Sequence, residues 1–323
     1  MYVAWQGYMA YADRFDSDDL AFRAVYFAAM LAIAAMAILI DDVAHGANSG
    51  ALAVAYVCLR SLMLALYWRA WRAVPDARPL IRRYGVGYGM AVGIWLVLLA
   101  FEPPFRYVVW GIALALELSL PPLSTRLHRL VPTHGSHLPE RWALFTLIVL
   151  GESVVAVALE TSDASWRLDS ATAAVLGFTS VAAVWWLYFD RQAAVALQGT
   201  SPAPLVYSSA HLPLLIGLGA TSAGVRLLIE RAGEDHLGAG ASAALLGGVL
   251  LYLLSLVVTR SVTVTGPRRV GVSLKIGAAA VILGLLLAQR AFSPVGLAAG
   301  LAMVLVAVVF AERTLIPPSQ SAS

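Results

Sequence analysis

The chain has 323 residues, 60% of them hydrophobic and only 13% charged, with a mean hydropathy of +0.78. Soluble domains carry about a quarter charged residues, so this balance excludes an ordinary water-soluble domain. The net charge of +3 specifies no partner and gives no nucleic-acid signal. The single Cys58 excludes an intrachain disulfide and a cysteine-based metal site, and its apolar surroundings predict a buried thiol. Residues 1–12 show neither the basic segment nor the cleavage site of a secretory signal.

In chain order, residues 1–12, MYVAWQGYMAYA, read as a short helix. Twelve helical residues reach about 18 Å, short of a hydrocarbon core of about 30 Å, as in a clipped helix or a chain missing its true beginning. Apolar runs then predict ten spans, over roughly 20–41, 50–71, 80–101, 104–121, 138–160, 170–190, 204–229, 239–260, 269–290 and 294–311. Asp16, Ser17 and Asp18 supply N-cap chemistry for the first of them. Gly85, Gly89 and Gly93 recur every four residues and predict a close helix-packing face. The GVGYG within that span is not a nucleotide loop, because no strand precedes it. Trp5, Trp68, Trp71, Trp110, Trp166, Trp185 and Trp186 sit at span ends, where interfacial belts form. The hydrophilic interval 123–141 is a loop.

Basic residues predict the orientation. Arg72, Arg78, Arg82 and Arg83, then Arg126, Arg129 and Arg141, then Arg260, Arg268 and Arg269 fall on one side if the spans alternate. The opposite loops are acidic or neutral. The basic loops and the C-terminus are therefore expected in the cytoplasm and Met1 outside.

A charge at a helix centre costs about 2.5–3.5 kcal/mol on insertion scales, so intramembrane ionisable residues are the first functional candidates. Glu152 lies 14 residues after Leu138, about 21 Å along the helix. It reads as a proton, cation or counter-ion site, or as a carboxylate that locks helices together. Gly151 beside it would admit a ligand or another backbone, and Ser153 adds a hydroxyl. Arg60 is central in its span and always charged, with Glu152 or Glu117 as its partner. His211 shares a helix face with Tyr207 and Ser208, and Pro213 frees a nearby carbonyl. It reads as a cavity-lining group or as a hydrogen-bonded packing residue. His128, His134 and His137 belong to the loop, where solvated histidines outweigh zinc ligands. No cofactor or metal site is expected. The pairs Asp13-Arg14 and Asp190-Arg191 fall at cytoplasmic helix ends, either as a gate between two halves or as capping and snorkelling groups.

Two stretches repeat in the same order. YADRF (11–15) is matched by YFDRQ (188–192), and RRYGVGYGMAVGIWLVLLA (82–100) by RRVGVSLKIGAAAVILGLLLA (268–288). The expected class is thus all-α: a polytopic helical bundle of about ten spans plus a short N-terminal helix, in two parallel pseudo-repeats related by an axis along the membrane normal. The expected divisions are a first repeat over 1–122, a basic loop over 123–137, a six-helix second repeat over 138–312 and a disordered tail over 313–323. The first repeat would lack the counterpart of the Glu152 helix.

ERWALFTLIVLGESVVAV (140–157), YADRFDSDD (11–19) and WWLYFDR (185–191) resemble the bacterial low temperature requirement protein A (LtrA) family over essentially the whole chain. The resemblance implies a multi-spanning protein of the bacterial cytoplasmic membrane, linked by name to growth in the cold. It brings no established catalytic residues. It also implies a first helix with a Phe-Phe-Asp-Leu-Val-Phe type segment, which this sequence does not contain. The functional expectation is a secondary transporter or permease, proton-coupled at Glu152, for a small solute or ion, with Arg60, Glu117 and His211 around it. The competing expectation is a non-transporting scaffold or stress-adaptation protein whose buried charges only fix packing. An enzyme is not expected, and a homo-oligomer in the bilayer is compatible with either reading.

Overall fold

The computed structural model describes residues 2–15, 18–102, 104–131, 137–163, 167–190, 203–262 and 268–315. These form helices α1 (Tyr2–Phe15), α2 (Leu20–Ala44), α3 (Ser49–Ala73), α4 (Arg78–Val97), α5 (Phe105–Leu123) and the single turn α6 (Thr125–His128). They continue with α7 (His137–Asp163), α8 (Leu168–Phe189), α9 (Ala203–Glu230), α10 (Ala239–Ser242), α11 (Gly248–Ser261), α12 (Arg268–Leu287) and α13 (Pro294–Leu315). No strand occurs among the described residues. A π-turn over Ala243–Gly247 joins α10 to α11 in one continuous rod.

Eight of these rods are long and apolar enough to cross a membrane: α2, α3, α7, α8, α9, α10–α11, α12 and α13. The expected spans 80–101 and 104–121 do form helices, α4 and α5, but neither belongs to that set. Arg82 and Arg83 with several glycines and tyrosines dilute α4, and Arg106, Glu117 and Pro121-Pro122 dilute α5.

Local chemistry sets the helix ends. The α2 N-cap is Asp19, whose carboxylate accepts the Phe22 N–H at 2.9 Å, one residue beyond the expected group; Asp16 and Ser17 lie outside the described residues. Arg69 of α3 reaches across to the same carboxylate, and its hydrogen bond, followed by that of Phe22, holds Asp19 below its ordinary pKa. Asn48 takes the left-handed conformation before α3. Pro294 opens α13 at the position where its missing N–H is harmless.

Contacts divide the chain into two units, Met1–His134 and Gly135–Ser323. In the first, α3 packs against α1, α2 and α4, and α4 against α5. Tyrosine hydroxyls tie α1 in place: Tyr8 donates to the Leu59 carbonyl at 2.8 Å and Tyr11 to the Leu66 carbonyl at 3.0 Å. Tyr26 of α2 donates to the Tyr8 carbonyl at 2.7 Å. In the second unit, α9 is central, packed by α7, α8 and α11, while α13 lies against α8 and α12.

Two packing expectations need correction. A Cβ built on Gly85, Gly89 or Gly93 meets no described atom within 4 Å, so that stripe is not a packing face among the described residues. The tight α4 glycine is Gly87, pressed on Leu120 of α5. The close crossing lies instead between α9 and α10–α11. A Cβ on Gly217 would stand 2.6 Å from the Gly248 carbonyl oxygen, and one on Gly224 would stand 2.4 Å from the Leu245 backbone. Cys58 is exposed rather than buried, because α3 turns Tyr56, Leu59, Arg60 and Met63 inward instead.

Candidate functional site

The first unit holds a charged centre. Arg60 of α3 and Glu117 of α5 are both fully enclosed as side chains and form an ion pair through Arg60 Nη2 and Glu117 Oε2. Tyr56, one turn before Arg60, closes the triangle. Its hydroxyl accepts from Arg60 Nε at 3.1 Å and donates to Glu117 Oε2 at 2.6 Å. The Arg60 guanidinium also lies 4.9 Å from the Tyr88 ring centroid, which adds a cation–π attraction strengthened by the dry surroundings. Gly7 of α1 makes room for it: a Cβ there would stand 3.3 Å from both Arg60 Nη1 and the Tyr88 hydroxyl.

Buried polar atoms are normally hydrogen-bonded. Arg60 Nη1 and Glu117 Oε1 have no hydrogen-bond partner among the described residues. The same holds for the indole nitrogens of Trp95 and Trp110; Trp95 packs against the Tyr56 ring and Trp110 stacks on Trp95. The centre thus retains donor and acceptor capacity while its net charge is balanced.

Toward the loop, the aromatic packing continues through Tyr88, Tyr84 and Tyr67. Tyr84 reaches His128 Nε2 at 3.0 Å. His128 is therefore docked, not solvated, and burial, aided by the charge of Arg14, lowers its pKa to about 4. His134 and the side chain of His137 lie outside the described residues, as does Trp166. No group of three His, Cys, Asp or Glu able to hold a metal occurs among the described residues.

His211 sits in the second unit, fully buried on α9. Its Nδ1 stands 2.7 Å from the Tyr207 carbonyl, which can only accept, so Nδ1 carries the hydrogen. Nε2 is then left to accept from the Tyr188 hydroxyl at 2.9 Å. Trp142 packs on the imidazole with centroids 4.7 Å apart, and its indole N–H donates to Ser208. Both imidazole nitrogens are thus satisfied by protein groups. Trp142 and Tyr188 are residues that sequence reasoning did not single out as partners of His211, although both lie in the quoted motifs.

Glu152 stands apart. It is exposed on α7, along one face with the exposed Leu144, Ile148, Val155 and Leu159, and it makes no hydrogen bond or ion pair among the described residues. Gly151 beside it is open, whereas Ser153 is buried. The acid that neutralises Arg60 is Glu117.

The helix-end pairs differ. Asp13 is buried at the end of α1, and Arg14 has its Nε buried. Asp190 lies 3.7 Å from Arg313 of α13, whose guanidinium covers the Trp186 ring; Arg191 lies outside the described residues. A second buried ion pair, Lys275 of α12 with Glu312 of α13, went unnoticed in the sequence. Its one signal is that Lys275 is the only lysine in the chain.

Comparison with known proteins agrees with the resemblance read from the motifs. The family described as bacterial low temperature requirement A protein (LtrA) matches residues 1–310. An uncharacterized protein of Rhizobium meliloti (strain 1021) is 27% identical over 265 residues, which cover 75% of this chain and 62% of that protein. The chain thus spans less than two thirds of that relative's length. No solved structure matches it. With its match over nearly the whole sequence and eight helices able to cross a bilayer, the chain belongs to the bacterial low temperature requirement A (LtrA) family of multi-pass helical membrane proteins.

Proposed function

We propose that the protein is a secondary transporter or permease for a small solute or ion, coupled to protons through an intramembrane carboxylate. The observation that carries this reading is the unpartnered Arg60 Nη1 and Glu117 Oε1 inside an otherwise closed, charge-balanced centre. Protonation of Glu117 would release Arg60 and Tyr56 from the carboxylate together, so proton uptake and solute binding would compete for the same atoms. Glu152 then serves as a separate exposed acid on α7, and His211 as a packed support for α7, α8 and α9. In this reading α4 and α5 also cross the bacterial cytoplasmic membrane, giving ten spans in two parallel repeats. The basic loops and the C-terminus face the cytoplasm, and the protein acts without enzymatic chemistry or a resident cofactor.

The second reading is a non-transporting scaffold for stress adaptation. It is favoured by the separation of the charges: Arg60–Glu117, Lys275–Glu312 and Asp190–Arg313 are each locally matched. Proteoliposomes holding a pH-sensitive dye separate the two. Transport predicts solute-driven pH change across a panel of small solutes, abolished by Glu117→Gln in protein that remains folded. If Glu117→Gln leaves such flux and its pH dependence intact, the carboxylate role is lost. If folded wild type moves nothing and Glu117→Gln only lowers stability, the scaffold reading stands.

A further inference from the structure

We propose that the groove between α12 and α13 is a binding site for one anionic phospholipid. The groove has a volume of about 640 Å³ and is open along its length. Its walls are small and apolar, with Gly277 and Val281 on α12 and Val304 and Ala307 on α13. Its polar groups among the described residues are confined to one end, where Arg269 lies in the first turn of α12 and Ser273 follows one turn deeper. Arg269 is exposed and forms no ion pair among the described residues. Glu312, the buried acid of α13, is paired with Lys275.

This distribution matches a phospholipid and no water-soluble anion. From Arg269 to Val281 the groove runs 12 residues, about 18 Å of helix, slightly more than half of a hydrocarbon core of about 30 Å. An acyl chain of one leaflet therefore fits along the walls while its phosphate reaches the guanidinium, with the Ser273 hydroxyl placed for the phosphate or ester oxygens. Arginine suits the phosphate because it offers forked donors and remains charged. Gly277 keeps the floor open, since a Cβ there meets nothing within 4 Å. A second open groove, of about 440 Å³ between α7 and α8, has Val157, Phe178, Thr161 and Thr179 in its lining and no charged residue among the described residues. It should accept acyl chains without regard to headgroup. The inference does not depend on whether the protein transports anything.

The test is native mass spectrometry of the full chain in detergent, titrated with dioleoyl phosphatidylglycerol or dioleoyl phosphatidylcholine. One arginine near an anionic headgroup predicts about a fivefold preference for phosphatidylglycerol. Arg269→Gln should erase that preference while lipid of either kind is still retained, and Arg269→Lys should keep most of it. Gly277→Phe, which fills the floor, should reduce retention of both lipids, and Ala307→Leu should do the same from the other wall. Arg290→Gln, at the opposite end of α12, should change nothing. The proposal is overturned if wild type shows no preference, if Arg290→Gln removes as much of it as Arg269→Gln, or if both wall substitutions leave retention unchanged. It is also overturned if the groove proves to be covered by a second copy, seen as a dimer that Gly277→Phe splits with lipid retention unaltered.

Discussion

The two units solve the same problem differently. In the first, helices are joined by side-chain polarity: an enclosed Arg60–Glu117 pair, the Tyr56 hydroxyl between them, and tyrosines that donate to backbone carbonyls of neighbouring helices. In the second, backbone meets backbone where α9 crosses α10–α11 at Gly217, Gly224 and Gly248. It also holds buried polar groups, some closed on protein partners, as at His211 and Lys275–Glu312, and some without a hydrogen-bond partner among the described residues, as at Trp186 Nε1 and Ser242 Oγ. Lipid gives helices no hydrophobic reason to associate, so close packing and interhelical hydrogen bonds must supply it. A unit held by polar groups can keep some of them for a ligand. A unit held mainly at glycine crossings sets its helix positions through the backbone instead.

That contrast can be broken by substitution. Arg60→Ala should have the largest effect, a loss of about 3–5 kcal/mol, because it strands a buried carboxylate. The paired replacement Arg60→Met with Glu117→Leu should restore most of that stability in thermal melts in detergent, since both charges leave together. If the double variant is as unstable as the single one, the pair does more than balance charge in the first unit. In the second unit, Gly224→Val should cost about 1–3 kcal/mol by overpacking against the Leu245 backbone, while Gly85→Ala should be neutral or slightly stabilising. Equal effects at Gly224 and Gly85 would remove the distinction between a glycine crossing and an open stripe. His211→Phe should cost about 1–3 kcal/mol, as the buried Tyr188 hydroxyl loses its acceptor. It should not alter any proton-linked flux.

The first unit should also show a pH response at His128. His128 has a folded pKa near 4 against 6.5 for the free side chain. Above about 6.5 the group is neutral in both states and its docking on Tyr84 is undisturbed. As the pH falls toward 4, the unfolded chain takes up the proton first, so stability is lost through that window. Wild type should therefore lose more melting temperature than His128→Gln between pH 7 and pH 4. Parallel loss in both proteins would mean that other groups carry the acid response.

Much of the fold was legible because a bilayer imposes it. Long apolar runs bounded by arginines must become spanning helices, and the eight qualifying rods fall where such runs were read. The need of Arg60 for an acid was equally legible, since guanidinium does not deprotonate. The identity of that acid was not. Glu117 and Glu152 are both single acids in apolar helices, and a helix that is apolar on every side carries no periodic signal to show which face turns inward. The same blindness placed the packing glycines on 85, 89 and 93. Four-residue spacing occurs in α4, whereas Gly217 and Gly224 of α9 stand seven residues apart, and only the crossing geometry shows which glycines meet another backbone. Lys275 escaped attention because it follows Arg268 and Arg269 by a few residues and reads as one more interfacial cation.

The sequence by itself determined the solvent, the helices and the family, because burial in lipid leaves a chain this apolar few alternatives and the Glu-Arg…Gly-Glu stretch is specific. Only the tertiary structure decided which charges meet. Coulomb attraction in a low dielectric is strong but short-sighted, and it acts on the group that packing brings within reach. Packing brought Glu117 and Tyr56 to Arg60, Glu312 to Lys275 and Tyr188 to His211, and it left Glu152 on the exposed face of α7.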